Sequence, residues 1–270
     1  MDRESSRLPV YLHCGFHKTG TTSFQTLLKR NLARLPEGVV CLPFAHPLVR
    51  NLGTLAKAYD RSPGQSNAAA LVEVWNQIVA ELRAAGARRA LISSENIFGR
   101  VPTVRGGMVR PYPHAGAILR LLASSSADID IRAAIYLRDE AAWTRSLHRH
   151  LVRTRALNVD LDRFARSIVW PEGGLSGIVD RIARESGCQI RLFRFEADLS
   201  LRLGVGSSML HFAGLTDKDL LNWEAVPIRN EGASDALVQF MTSPPIALLP
   251  LPLRHMTLRI RRRLLGSWLA

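Results

Sequence analysis

Cys14-Gly15-Phe16-His17-Lys18-Thr19-Gly20-Thr21-Thr22-Ser23 is the stretch on which the reading of the fold turns. Before it lies an apolar segment, Leu8 to Leu12, interrupted by Pro9. After it, Phe24, Leu27, Leu28 and Leu32 recur at helical spacing. A strand, a glycine-bearing loop and a helix in that order form a cradle for phosphate. Backbone N–H groups of the loop and first helical turn point at the anion, and the helix dipole favours negative charge there. Gly15 and Gly20 have the spacing of a nucleoside-triphosphate loop, but Thr21 stands where that loop has its lysine. The lysine sits three residues earlier, at Lys18, and so reaches different atoms. Thr21, Thr22 and Ser23 add hydroxyl donors at the helix start.

Working outward, strands are predicted near 8–13, 39–42, 89–94, 130–137 and 189–195. Helices are predicted near 21–34, 67–84, 114–124, 140–154, 159–167, 175–186 and 234–242. The stretches 43–65 and 99–113 read as irregular, the second as a basic, glycine-containing loop. Buried strands alternating with helices predict an α/β fold, a P-loop-type three-layer α/β/α domain with a central, mostly parallel sheet. The expected domain covers 1–243, and 244–270 forms a proline-rich connection and a basic tail. Lys18, Glu95 and Arg138 each lie just past a predicted strand end, where open parallel sheets bind their ligands.

Lys18-Thr19-Gly20-Thr21-Thr22 after a short strand resembles the 5′-phosphosulfate loop of sulfotransferases that use 3′-phosphoadenosine 5′-phosphosulfate (PAPS). The resemblance implies that Lys18, Thr19, Gly20, Thr21 and Thr22, with Ser23 beside them, wrap the 5′-phosphosulfate, with Lys18 acting on the bridging oxygen. In that family an arginine at a strand end and a serine eight residues on bind the 3′-phosphate. Arg138 and Ser146 stand at that spacing, with Asp139 as helix N-cap between them. A planar guanidinium suits phosphate through bidentate donation. Ser94-Glu95 is similar to the strand-end glutamate of carbohydrate-type and tyrosyl-protein sulfotransferases, which implies Glu95 as catalytic base. The likeness is dense over 8–28, 89–95 and 130–150 and loose from 156 onward. Arg229-Asn230-Glu231-Gly232 resembles the family's nucleotide-closing loop only weakly, because it lacks the Arg-Lys-Gly signature.

Histidine is the competing base, as in the small-molecule branch of that family. His114 is the better rival, since His148 and His150 lie far along the helix after Arg138; His17 shapes the loop. Arg145, Arg149 and Arg153, at i, i+4 and i+8, read as a solvated face or as a lip for an anionic acceptor.

A chain of 270 residues with 47% hydrophobic content can bury one sizeable core. Cys14, Cys41 and Cys188 lack metal spacing and are odd in number, which points to a reducing compartment and away from zinc. No apolar run approaches the roughly 18 residues of a membrane span, so a cytoplasmic protein is expected. Net charge is +13, and only four of the 36 basic residues are lysines. No acidic residue follows Asp235, whereas Arg254, Arg259, Arg261, Arg262 and Arg263 do. With Leu258, Ile260, Leu264, Leu265, Trp268 and Leu269 among them, residues 254–270 read as a basic amphipathic helix, for an anionic membrane at the inner face or for packing on protein. No nucleic-acid module accompanies the charge. The expected activity is sulfuryl transfer from PAPS to a free hydroxyl, on a carbohydrate or glycolipid by preference, leaving adenosine 3′,5′-bisphosphate and needing no metal. Two alternatives are a kinase using ATP and magnesium, which Thr21 disfavours, and a non-catalytic nucleotide-binding or membrane scaffold.

Overall fold

A computed structural model describes residues 7–226 and 235–266, with side chains as far as residue 259. The weak nucleotide-closing match at 229–232 and the tail side chains from Ile260 onward lie outside the described residues.

Among the described residues five strands are present: β1 (Leu8–His13), β2 (Val39–Leu42), β3 (Arg89–Ser93), β4 (Ile129–Leu137) and β5 (Ile190–Arg194). Every pairing is parallel and the order is β2-β3-β1-β4-β5. The helices are α1 (Thr21–Asn31), α2 (Pro47–Arg61), α3 (Gln65–Ala84), α4 (Ala115–Ser124), α5 (Glu140–Arg155), α6 (Leu161–Arg166), α7 (Gly174–Ser186), α8 (Phe195–Asp198), α9 (Ser207–Phe212), α10 (Asp217–Leu220), α11 (Asp235–Thr242) and α12 (Leu251–Gly266).

The chain forms two compact units. The first comprises 1–101, 111–138 and 170–229, and the second 102–110, 139–169 and 230–270. The whole sheet belongs to the first. Side chains alternate across a pleated strand, so each strand feeds two layers. Tyr11, Leu91, Ala134 and Tyr136 pack with Phe24, Leu27 and Leu28 of α1 and Met209 and Leu210 of α9. Val10, Leu12, Ala90, Ile92, Ala133 and Ile135 point the other way and are fully buried, on the side where α4 and α7 pack against each other and on β4. The result is the expected three-layer α/β/α arrangement around a parallel sheet.

The helices α2, α8, α9 and α10 are additions to the sequence reading. The stretch 43–65, expected to be irregular, contains the 15-residue helix α2. Pro47 is at the helix start, where its missing N–H costs nothing. Val49, Leu52, Gly53 and Ala56 make its buried face. Gly53 marks a close crossing rather than a break, since a Cβ there would come within 2.9 Å of the Asn96 Cβ.

In the second unit, α5 begins at an Asp139 cap whose side chain accepts from the Ala142 N–H at 2.8 Å, as expected. Val152 and Ala156 form a small core with Met241 and Leu258. Of the arginine stripe on α5, Arg149 is ion-paired with Asp235. Among the described residues no helix is long and apolar enough to cross a membrane.

Candidate active site

The strand order places a topological switch point at β1. From β1 the chain runs to β3 and β2 on one side, and later to β4 and β5 on the other. Crevices at such points, beyond the carboxyl ends of the strands, are where open α/β sheets take ligands. The Cys14–Gly20 loop leaves β1 at that end, with Arg138 immediately after β4 and Glu95 just after β3.

The loop is held in a shape that an ordinary turn would not adopt. Lys18 has φ 73° and Gly20 φ 86°, both left-handed. A Cβ on Gly20 would come within 2.7 Å of Val205 and 2.8 Å of Phe195, so only glycine fits. The Thr19 hydroxyl donates to the Phe16 carbonyl at 2.6 Å, and the His17 N–H donates to the Tyr112 hydroxyl at 2.7 Å. The Tyr112 ring stacks on Phe16 at 4.6 Å and 8°. Helix α1 starts at Thr21 with no side-chain cap, which leaves its first N–H groups for a ligand.

Arg138 is tied to this loop. Its Nη1 donates to the Lys18 carbonyl at 3.3 Å, and its guanidinium lies over the Phe195 ring, 4.9 Å from the centroid. Its Nε is buried without a hydrogen-bond partner among the described residues. The same holds for Thr21 Oγ1 and Ser94 Oγ. Buried polar groups are ordinarily paired. Three orphans around one loop, an uncapped helix start and a glycine cradle are what a site for an anionic group needs, so the residues present fit the donor that the sequence implies.

Glu95 opens a short 3-10 turn, Glu95–Phe98, and is half-buried. Its charge acts on His17, Lys57 and Tyr112. Burial holds the His17 pKa below its usual value, opposed by Glu95 and by a hydrogen bond that the ring donates to the Asn96 side chain. Lys57, on α2, is also shifted down by partial burial, again opposed by Glu95. Neither Lys57 nor Tyr112 was singled out for the site from sequence. For Lys57 the scarcity of lysine was the available signal: two of only four in the chain, Lys18 and Lys57, belong to this cluster. Tyr112 carried no signal beyond its flanking Pro111 and Pro113.

The rival histidines are otherwise engaged. His114 Nδ1 lies 3.2 Å from Asp60 Oδ1, and Asp60 also accepts from Arg100 Nε at 2.6 Å. In the second unit, His148 is buried with Nε2 2.8 Å from the Val159 carbonyl. Ser146 belongs to that unit, half-buried on α5, while the other expected site residues all lie in the first unit. Thr22 is exposed and Ser23 half-buried in the first turn of α1. Among the described residues no group of histidine, cysteine, aspartate and glutamate could hold a metal ion.

No protein-family model matches the chain, and no curated protein matches it. Among solved structures it is similar to a retinol dehydratase in complex with androsterone and the inactive cofactor PAP, at 11% identity and a TM-score of 0.30. The match covers 87% of this chain, which spans 63% of the length of that one. So distant a likeness has no bearing on the chemistry, which rests on the residues themselves.

Proposed function

We propose that this protein transfers a sulfuryl group from PAPS to an acceptor hydroxyl. One observation carries the reading. Around the central strand, a strained lysine loop with unpaired buried donors stands between an arginine on the β4 side and a carboxylate on the β3 side. The donor, when bound, supplies a sulfuryl group activated by its anhydride link to phosphate. Lys18, the Thr21 and Thr22 N–H groups and the Thr21 hydroxyl hold its charged end. Arg138 binds the second phosphate. Glu95 accepts the proton of the attacking hydroxyl, while Lys18 and the helix start stabilise the negative charge left on the departing phosphate oxygen. Removing one such preorganised donor costs about 10²–10³ in rate. Charged groups and oriented N–H donors neutralise the anion in this scheme without a metal.

The strand-end glutamate favours a sugar hydroxyl, so the acceptor in this reading is a carbohydrate or glycolipid. A lipid-linked acceptor suits the C-terminal segment, which we read as a surface for anionic membrane. Leu248, Leu251, Leu253 and Met256 are exposed there, Arg254 and Arg259 are close in sequence, and acidic residues are lacking after Asp235. Binding to anionic but not zwitterionic vesicles, weakened by salt, is the expected result; equal binding to both removes this part.

A thermal-shift comparison tests the donor. Adenosine 3′,5′-bisphosphate at 100 times its dissociation constant is expected to stabilise the protein by about 2.7 kcal/mol. Stabilisation by ATP with magnesium and none by the bisphosphate overturns the assignment.

A further inference from the structure

Beneath the loop lies a pair of polar atoms that the scheme above does not use together. His13 ends β1, fully buried. Its register partner across the sheet is Ser93, and His13 Nδ1 lies 2.8 Å from Ser93 Oγ. The ring is wedged edge-on between Phe24, at 4.9 Å, and Tyr136, at 5.5 Å. Three contacts thus fix its plane and leave Nε2 one direction to face. Nε2 has no partner among the described residues, and neither has Thr21 Oγ1. Both converge behind Gly15: a Cβ there would come within 2.8 Å of His13 Nε2 and 3.2 Å of Thr21 Oγ1. The absence of a side chain at Gly15 leaves the way between them open.

We propose that His13 is a positioning residue of the loop, donating from Nε2 to Thr21 Oγ1 when the loop holds its anion, so that the Thr21 hydroxyl proton is turned to the anion. The Ser93 hydroxyl donates to Nδ1 and thereby keeps the single ring proton on Nε2. Burial, which lowers the His13 pKa to about 3, keeps the ring neutral, so no second proton competes at Nδ1. The relay Ser93–His13–Thr21 joins the end of β3, two residues before Glu95, to the first residue of α1. The role rests on the loop being an anion site, as the proposed function has it.

Glutamine and asparagine separate this role from simple core filling. A glutamine amide places an N–H donor near the position of Nε2; an asparagine amide reaches only that of Nδ1. Calorimetric titration of the full chain with adenosine 3′,5′-bisphosphate, and separately with inorganic pyrophosphate, is the experiment, with melting temperatures recorded without ligand. His13→Gln is expected to keep affinity within about threefold, and His13→Asn to lose about tenfold, the worth of one buried hydrogen bond. Equal affinities in the two variants overturn the proposal. Nitrogen-15 spectra of the unsubstituted protein provide a readout that does not depend on how the variants fold. They are expected to show His13 protonated at Nε2, with that resonance moving on anion addition; a proton on Nδ1, or an unmoved signal, overturns it. If pyrophosphate binds and the bisphosphate does not, the donor assignment falls while the His13 comparison is still read on pyrophosphate. If neither binds, both fall.

Discussion

Arg138 Nη1 donates to the carbonyl oxygen of Lys18, so the residue that follows β4 holds the loop that follows β1. The two cations associated with an anion site are therefore coupled through backbone. Arg138 acts on a ligand directly and also through the shape of the loop.

Replacing Arg138 with alanine removes a charged donor and the Lys18 support at once. Hydrogen bonds to charged groups contribute about 1.5–3 kcal/mol. Bisphosphate affinity in Arg138→Ala is expected to fall by about 10- to 100-fold, read by calorimetry. Unchanged affinity would detach Arg138 from the nucleotide.

Glu95→Gln leaves the 3-10 turn and the loop hydrogen bonds in place, because none of them uses the carboxylate. Bisphosphate binding is expected to persist while the transfer rate falls by about 10²–10⁴, the usual contribution of a general base. Full activity in Glu95→Gln, measured with labelled donor, returns the role to a histidine.

At Gly20, both the left-handed backbone and the approach of Val205 and Phe195 exclude a side chain. Gly20→Ala is expected to destabilise the fold by more than about 1 kcal/mol and to abolish the thermal shift given by the bisphosphate. Gly86, also left-handed but with open space around it, provides the control: alanine there should lower the melting temperature and leave the shift intact.

Stability should depend on pH through buried histidine. His13 stays neutral in the folded protein down to about pH 3, whereas in the unfolded chain it takes up a proton near its ordinary value of 6.5. The unfolded state therefore binds the extra proton. Stability is complete above pH 6.5 and is lost as pH falls towards 3, at up to about 1.4 kcal/mol per pH unit. His17, with its pKa also held down by burial, adds to the same limb. Denaturant titrations from pH 7 to pH 4 are expected to show a shallower loss in His13→Gln than in the parent.

The strands were legible because buried parallel strands are short apolar runs bounded by polar residues: Leu8–His13 and Val39–Leu42 appear where expected. Helix α2 was hidden by its own punctuation. Prolines and glycines mark breaks on average, yet Pro47 begins the helix and Gly53 lets it cross Asn96. For the candidate site, the positions of Lys18, Glu95 and Arg138 beyond β1, β3 and β4 could be read in advance, because strand ends are marked locally. Tyr112 could not, because its contact with His17 joins residues 95 positions apart, and nothing near Tyr112 in sequence announces it. The Asp60 partner of His114, 54 positions away, was invisible for the same reason.

Among the described strands, β1 is both the first in sequence and the middle one of the sheet. Val10 pairs with Ala90 on one side and with Ile131 on the other, so during synthesis β1 leaves the ribosome long before either neighbour exists. Val10 must wait for residue 90 to be translated before its first partner exists and for residue 131 before its second, and long-range pairing of this kind folds slowly. A truncation ending before β4 would leave β1 with a bare edge, prone to aggregate rather than to retain a partial binding loop.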